Sequence, residues 1–198
     1  HPEYSSTRYA LAYAQERGLP AVGVQHHHAH IVSAMAEHRL AGQVLGIACD
    51  GTGFGTDGTI WGCELLVADA VGFERAGHLR RFQLLGGDVA ARQTWRPAAG
   101  LFFDCFGDAW PEAARPVLSR VSPESIKLAQ SRLAAGRLPW TSSLGRLFDA
   151  VAFLLGICEE NRHEAEAAMG LESAAGLVTA AEALTFDLQP HEIGRAHV

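Results

Sequence analysis

Apolar and polar residues recur at helical spacing over residues 5–15, with Ser5 or Ser6 as a candidate N-cap. Gly18 closes this predicted helix, and residues 20–24 read as a short apolar strand through Ala21, Val22 and Val24. From His26 to about His38 the pattern turns helical again. Ile31, Ala34 and Met35 then share one face, and His26, His30, Ser33 and Glu37 share another. His27 falls toward the apolar stripe, and His28 is expected to have no partner.

Residues 43–49 are apolar on both faces and read as a central strand, with Asp50 at its C-terminal end. A glycine-rich turn follows, Asp50-Gly51-Thr52-Gly53-Phe54-Gly55-Thr56-Asp57-Gly58. Residues 59–67 are then the return strand and 73–82 a further strand. Gly86-Gly87-Asp88 reads as a turn with Asp88 capping a helix over 89–95. Residues 101–136 read as helical and broken at Gly107, Pro111, Pro116 and Pro123, an inserted helical cap. Thr141-Ser142-Ser143 caps a strong helix over 144–158, buried through Leu147, Val151, Leu154 and Leu155, with Arg146 and Asp149 as polar exceptions. A last, alanine-rich helix is expected over 164–183, with Glu164 and Glu166 in its first turn.

This pattern predicts an α/β fold. Residues 1–85 form a lobe carrying the chemical motifs, 86–140 a helical insertion, and 141–190 the start of a second, helical lobe. Residues 191–198 are expected to be a non-native tail, because Glu192-Ile193-Gly194-Arg195-Ala196-His197-Val198 resembles translated sequencing-adapter DNA.

Composition narrows the function classes. With 198 residues, 48% hydrophobic and 19% charged, a sizeable core can form and wholesale disorder is excluded. A net charge of −6 argues against a large footprint for nucleic acid or an anionic membrane. Cys49, Cys63, Cys105 and Cys158 show no CxxC spacing, which suits reduced thiols in a cytoplasmic protein. No apolar run reaches the roughly 18 residues of a membrane span. The chain opens on His1-Pro2 without an initiator Met and reads as a fragment.

The candidate chemistry gathers between Gln25 and Gly62. On a helix, residues three or four apart converge, so His26 and His30 can offer two neutral imidazoles to Zn or Fe. The same spacing also suits histidines that merely cap a helix start. Their place after a strand raises the metal reading, because open α/β sheets gather ligands there. Asp50 is a candidate third ligand, or else an Asx-turn residue. Gly51, Thr52, Gly53, Gly55 and Asp57 form a candidate phosphate-binding turn, or else a hairpin signalled by Asp57-Gly58. Ser143 and Arg146 at a helix N-terminus could hold a phosphate or simply cap a core helix. Arg92 and Arg96 could face an anion or solvent.

Taken together, several motifs resemble the HypF carbamoyltransferase family of nickel–iron hydrogenase maturation. They are His1-Pro2-Glu3-Tyr4-Ser5-Ser6-Thr7-Arg8-Tyr9, Val24-Gln25-His26-His27-His28-Ala29-His30, Asp50 to Gly62, Gly86-Gly87-Asp88, Trp95-Arg96 and Ser142 to Val151. The resemblance covers about residues 1–175. It implies part of a C-terminal carbamoyl-transfer module, akin to the tRNA threonylcarbamoyl-transferases. The implied fold is an actin/Hsp70/sugar-kinase-like (ribonuclease H-like) lobe with a helical insertion, incomplete here.

In that family a YrdC-like domain makes carbamoyl-adenylate from carbamoyl phosphate and ATP. The transfer module passes the carbamoyl group to the C-terminal cysteine of HypE, on the way to the cyanide of the active-site iron. His26, His30 and Asp50 match the family's metal ligands and are the expected catalytic residues, with Fe or Zn as the divalent metal. HypE, carbamoyl phosphate and ATP are the expected partners, with no nucleic acid and no membrane.

The departures are clear. Acylphosphatase, zinc-finger and YrdC-like segments are missing upstream, as are a Ser-Gly-Gly segment and a further aspartate downstream. His163-Glu164-Ala165-Glu166 stands where the family has Tyr-Glu-Gly-Glu. The chain is therefore expected not to catalyse the whole reaction alone. Two alternatives are an O-carbamoyltransferase acting on a small-molecule hydroxyl and a non-catalytic metal- or nucleotide-binding fragment.

Overall fold

The structure, a computed structural model, describes residues 1–176. Helix α1, Ser5–Arg17, buries none of its residues and follows Tyr4, with no side chain capping its start. Gly18 ends it in the left-handed region (φ 61°), as the sequence predicts. The expected strand at 20–24 does not form. Among the described residues that run pairs with nothing, and Val22 and Val24 are exposed, since β structure needs a paired neighbour.

Helix α2, His26–Glu37, is capped by Gln25, whose side chain accepts from His28 N–H at 2.9 Å. Its apolar face packs on the sheet: Ile31 and Met35 meet Ala48, Trp61, Leu66, Ala68 and Phe73 in one core. Gly46 is required there, since a Cβ would lie 2.4 Å from Ile31 Cδ1. His28 has a partner after all, with Nε2 2.8 Å from the Asp69 carbonyl.

Strand β1 spans Val44–Phe54 and pairs antiparallel with β2, Ile60–Ala68. The expectation of a central strand is corrected. Among the described residues β1 pairs only with β2, and Leu45 and Ile47 are 64% and 67% exposed. Apolar residues on both faces report hydrophobicity, not position in a sheet. β1 also continues past Asp50, so the glycine stretch is mostly strand, and the true turn is at 55–59.

Strand β3, Phe73–His78, pairs antiparallel with β2. The single expected strand over 73–82 breaks here, because β4, Phe82–Gln83, pairs instead with β5, Trp140–Thr141. β5 meets β2 in parallel through Ile60 and Thr141, which brings the second half of the chain onto the sheet.

Asp88 is already helical (φ −58°, ψ −31°), so it cannot serve as the non-helical cap expected of it. It precedes a short helix, α3 (Val89–Arg92), and the chain re-enters helix at α4, Trp95–Phe106. Helices α5 (Trp110–Ala113), α6 (Arg115–Leu118) and α7 (Pro123–Ala134) each carry proline in the first turn, where its missing N–H costs nothing. They enclose a separate core around Leu85, Ala99, Trp110, Leu118 and Leu133.

Helix α8, Leu144–Leu154, is capped by Ser143 and packs on α4 through Ala98, Ala150 and Phe153. Its buried face is rotated from the expected one. Asp149, Ala150, Ala152 and Phe153 are buried, while Leu155 is exposed. Helix α9, Glu166–Ala175, begins two residues later than expected. The continuation of that helix beyond 176 and the tail at 191–198 lie outside the described residues.

Candidate metal centre

The first turn of α2 faces the irregular stretch of β1. The register between the β1 and β2 strands shifts between Cys49 and Gly53, and this bulge turns the Asp50 carboxylate toward the helix. His26 Nε2 lies 2.7 Å from Asp50 Oδ2. His30 Nε2 lies 3.2 Å from His26 Nε2 and 3.7 Å from Asp50 Oδ2. The three candidate ligand atoms all fall within 4.8 Å of one another.

That spacing fits a small divalent ion. Metal–ligand bonds of about 2.0–2.2 Å in tetrahedral geometry separate ligand atoms by roughly 3.2–3.6 Å. The donor set of two imidazoles and one carboxylate suits Zn or Fe. Half the His26 and His30 side-chain surface is open, which leaves coordination positions facing solvent. Burial alone would raise the Asp50 carboxyl, but the His26 bond and the Gly51 N–H outweigh it and hold it below its ordinary value.

Close approach between elements depends on two glycines. A Cβ on Gly53 would lie 2.3 Å from His27 Cε1 and 2.9 Å from His26 Cδ2. A Cβ on Gly145, in the first turn of α8, would lie 2.7 Å from the Cα of Gly51. The α8 N-terminus therefore seats directly against the bulge. Ser143 Oγ donates to the Gly51 carbonyl at 2.5 Å while accepting from Arg146 N–H at 3.0 Å.

The glycine turn is differently committed than the sequence suggests. Gly51 N–H donates to Asp50 Oδ1 at 2.6 Å and Gly55 N–H to the Thr59 carbonyl at 2.9 Å. These two amides are thus already bonded within the chain rather than presented to an anion. Thr52 is exposed on β1. Asp57 accepts from Thr59 N–H, Thr59 Oγ1 and Trp61 Nε1, and pairs with Arg75 and Arg81, so it braces the hairpin.

Arg92 pairs with Glu160 at 2.5 Å, while Arg96 donates to Gln93 and stacks on Trp95. His163 Nδ1 lies 3.1 Å from the Glu164 carbonyl.

Two buried networks support the centre; of their members, only Arg146 and Asp149 stood out in the sequence. Glu64, fully buried, accepts from Gly62 N–H at 3.0 Å and from Arg75 Nε at 2.7 Å, and Arg75 lies 4.1 Å over the Trp61 ring. Behind Gly51, Arg146 Nη2 pairs with Asp149 Oδ2 at 2.9 Å, and Asn161 Nδ2 donates to Asp149 Oδ1 at 2.8 Å. Burial lowers the Arg146 guanidinium, against the pull of Asp149 and Asp50. A charged residue inside an apolar strand, as Glu64 is, was the available signal.

The comparisons decide the family. Residues 46–197 match the family described as "Carbamoyltransferase, Kae1-like Domain, second subdomain", and residues 1–37 match "HypF Kae1-like domain". The chain belongs to the HypF carbamoyltransferase family. Among curated HypF proteins it is 45% identical to carbamoyltransferase HypF2 of Cupriavidus necator over 175 residues, covering 88% of this chain but 21% of that one. It is 41% identical to carbamoyltransferase HypF of Rhodobacter capsulatus, with 88% and 24% covered.

The crystal structure of full-length HypF in the phosphate- and nucleotide-bound form superposes with a TM-score of 0.85 at 38% identity, over 96% of this chain and 24% of that one. The T. kodakarensis HypF structure gives 0.81 at 36%. The chain thus spans about a fifth to a quarter of these HypF proteins. The α/β sheet with its helical insertion is the Kae1-like, actin-type lobe expected from the sequence. No helix among the described residues is long and apolar enough to cross a membrane.

Proposed function

We propose that this chain is part of a carbamoyl-transfer module, moving a carbamoyl group from carbamoyl-adenylate to the C-terminal cysteine thiol of HypE during hydrogenase maturation. The observation that carries the reading is the convergence of His26, His30 and Asp50 on one point, in a chain of the HypF family. His26, His30 and Asp50 would hold the divalent metal. When bound, that ion would polarise the carbamoyl or phosphate oxygens as a Lewis acid.

The chain's own residues set the stage for this chemistry. The bulge in β1 aims Asp50, and Ser143 locks the α8 N-terminus against the Gly51 carbonyl. Arg146 places positive charge behind the same peptide, which favours an anionic leaving group on that side. The thiolate of the acceptor attacks the carbamoyl carbon and forms the S–C bond. The C–O bond to phosphate then breaks, and its electron pair leaves with AMP. No cysteine of this chain acts as nucleophile in this scheme.

Carbamoyl-adenylate is supplied, in the same reading, from carbamoyl phosphate and ATP by parts of the family's longer chain. The four thiols, free among the described residues, suit a cytoplasmic setting. The same proposal divides the chain into the lobe at 1–85, the insertion at 86–140 and a second lobe from 141.

The test is made in a HypF protein of full family length carrying this segment. His26→Ala and His30→Ala should each abolish metal retention and carbamoyl transfer to HypE while leaving carbamoyl-adenylate formation intact. Transfer at the unmodified rate in both variants would overturn the assignment.

A further inference from the structure

One histidine in the motif is neither a ligand nor an ordinary core residue. His27 is fully buried at 0% exposure, with its ring 5.2 Å from that of His26 and 5.9 Å from that of Trp61. Its Nδ1 lies 3.3 Å from Gln25 Nε2. Among the described residues its Nε2 is buried without a hydrogen-bond partner, and it lies 3.9 Å from Asp50 Oδ2.

The neighbours of Gln25 settle which nitrogen carries the proton. Gln25 Oε1 accepts from His28 N–H at 2.9 Å, and Gln25 Nε2 donates to the Phe54 carbonyl at 3.1 Å. Both backbone partners have a fixed sense, so the amide cannot be flipped. The group facing His27 Nδ1 is therefore an N–H donor. Nδ1 must accept, and the ring hydrogen sits on Nε2, pointing at Asp50.

A buried donor with no acceptor costs stability, and chains rarely keep one without a use. Here the acceptor it faces has another donor, His26 Nε2 at 2.7 Å. That arrangement cannot persist with a cation present. The lone pair of His26 Nε2 would point at the ion, and the hydrogen between His26 and Asp50 would be gone. Asp50 Oδ2 would then keep a free acceptor site beside the His27 N–H. Gly53 lies close against the same Cε1–Nε2 edge of the ring, where a Cβ would fall 2.3 Å from Cε1 and 3.0 Å from Nε2, so this edge is packed against β1.

We propose that His27 is a positioning residue for the metal centre: its Nε2–H is held in place to receive the Asp50 carboxylate and fix its orientation once His26, His30 and Asp50 bind a cation. The proposal rests on the metal reading above and adds a role that neither the ligand set nor the HxxxH spacing assigns. It follows the general pattern in which a ligating carboxylate is oriented by a hydrogen bond from outside the ligand shell.

The experiment uses Co(II) and Zn(II) with the full chain. Co(II) binding is followed by its visible absorption band, and Zn(II) affinity by competition with a chromophoric chelator. His27→Phe, which fills the space without a donor, should bind about 10- to 100-fold more weakly and shift the Co(II) band. His27→Gln, which can place an amide N–H near the Nε2 position, should recover most of the affinity and the band.

Nitrogen-15 NMR of the unmodified chain tests the same idea without relying on a variant's folding. The His27 ring should be the Nε2–H tautomer, and its Hε2 signal should shift on Zn(II) addition. Wild-type binding with an unchanged His27→Phe affinity, or an Nδ1–H tautomer, would overturn the role of His27 alone. No Co(II) or Zn(II) binding by the unmodified chain would instead overturn the metal reading, and the His27 role with it.

Discussion

Arg75 and Glu64 form a buried ion pair across β2 and β3, with Arg75 Nε 2.7 Å from Glu64 Oε2. Glu64 is fully buried, and its other oxygen accepts from Gly62 N–H and Ser142 Oγ. The pair thus joins the hairpin to the segment that leads into α8. Removing one partner of such a pair leaves an uncompensated buried charge, so Arg75→Leu should destabilise by about 3–5 kcal/mol. Urea unfolding measures this. Arg75→Lys should rescue little, because a lysine cannot reproduce the planar stacking on Trp61 at 4.1 Å.

Gly53 offers a sharper test of the helix–strand contact. A methyl group there would sit 2.3 Å from His27 Cε1, with both elements anchored in the core. Overpacking of this kind costs about 1–3 kcal/mol. Gly53→Ala should therefore lower the urea midpoint and weaken Zn(II) binding together. A variant with unchanged stability would show that α2 can lift away from β1.

The sequence exposed the centre more readily than its supports, for a physical reason. His26 and His30 are four residues apart on one helix, so local periodicity alone brings them together. Asp50 stands out as a carboxylate directly after an apolar run, but its place opposite that helix comes from a bulge inside a strand that runs on to Phe54, not from a strand end. Glu64 and Arg75 meet through the β2–β3 register, which is non-local, with a bulge between Leu65 and Leu66 that no local pattern announces. The same limit explains the misread strands. Residues 20–24 and 43–49 are similarly apolar, yet among the described residues one run has no strand neighbour and the other has one. The Arg146–Asp149 pair was visible as two polar residues on an apolar helix, but its third member, Asn161, arrives from beyond the helix end. Asp88 fails as a cap because the turn made by Gly86 and Gly87, both at positive φ, ends before it, and Asp88 itself already has helical φ and ψ.

Acid should loosen the hairpin through Asp57. Burial alone would raise its carboxyl, but bonds from Thr59 and Trp61, with the charge of Arg75, pull it down to about 2. The unfolded value is about 3.9. Between these values the unfolded chain binds the proton and the folded one does not, so stability falls as pH drops. The contribution is fully present above about pH 4 and is lost as pH falls through about 2. Asp57→Asn should flatten this limb of a stability-versus-pH curve between pH 4 and 2, and an unchanged slope would remove Asp57 from the account.

Cys49 and Cys63 face each other directly across the β1 and β2 strands, yet they should differ sharply in reactivity. Cys49 is exposed, whereas Cys63 is partly buried. Burial, then the neighbouring Cys49 thiol, pushes Cys63 up to about 11. Only the thiolate attacks an alkylating reagent, so at pH 8 about one Cys63 in a thousand is reactive at any moment. Iodoacetamide labelling read by mass spectrometry should modify Cys49 in the native chain and spare Cys63 until urea unfolds it. Equal native rates would mean that the two strands open at this pair, one residue before Asp50, far more often than the ladder implies.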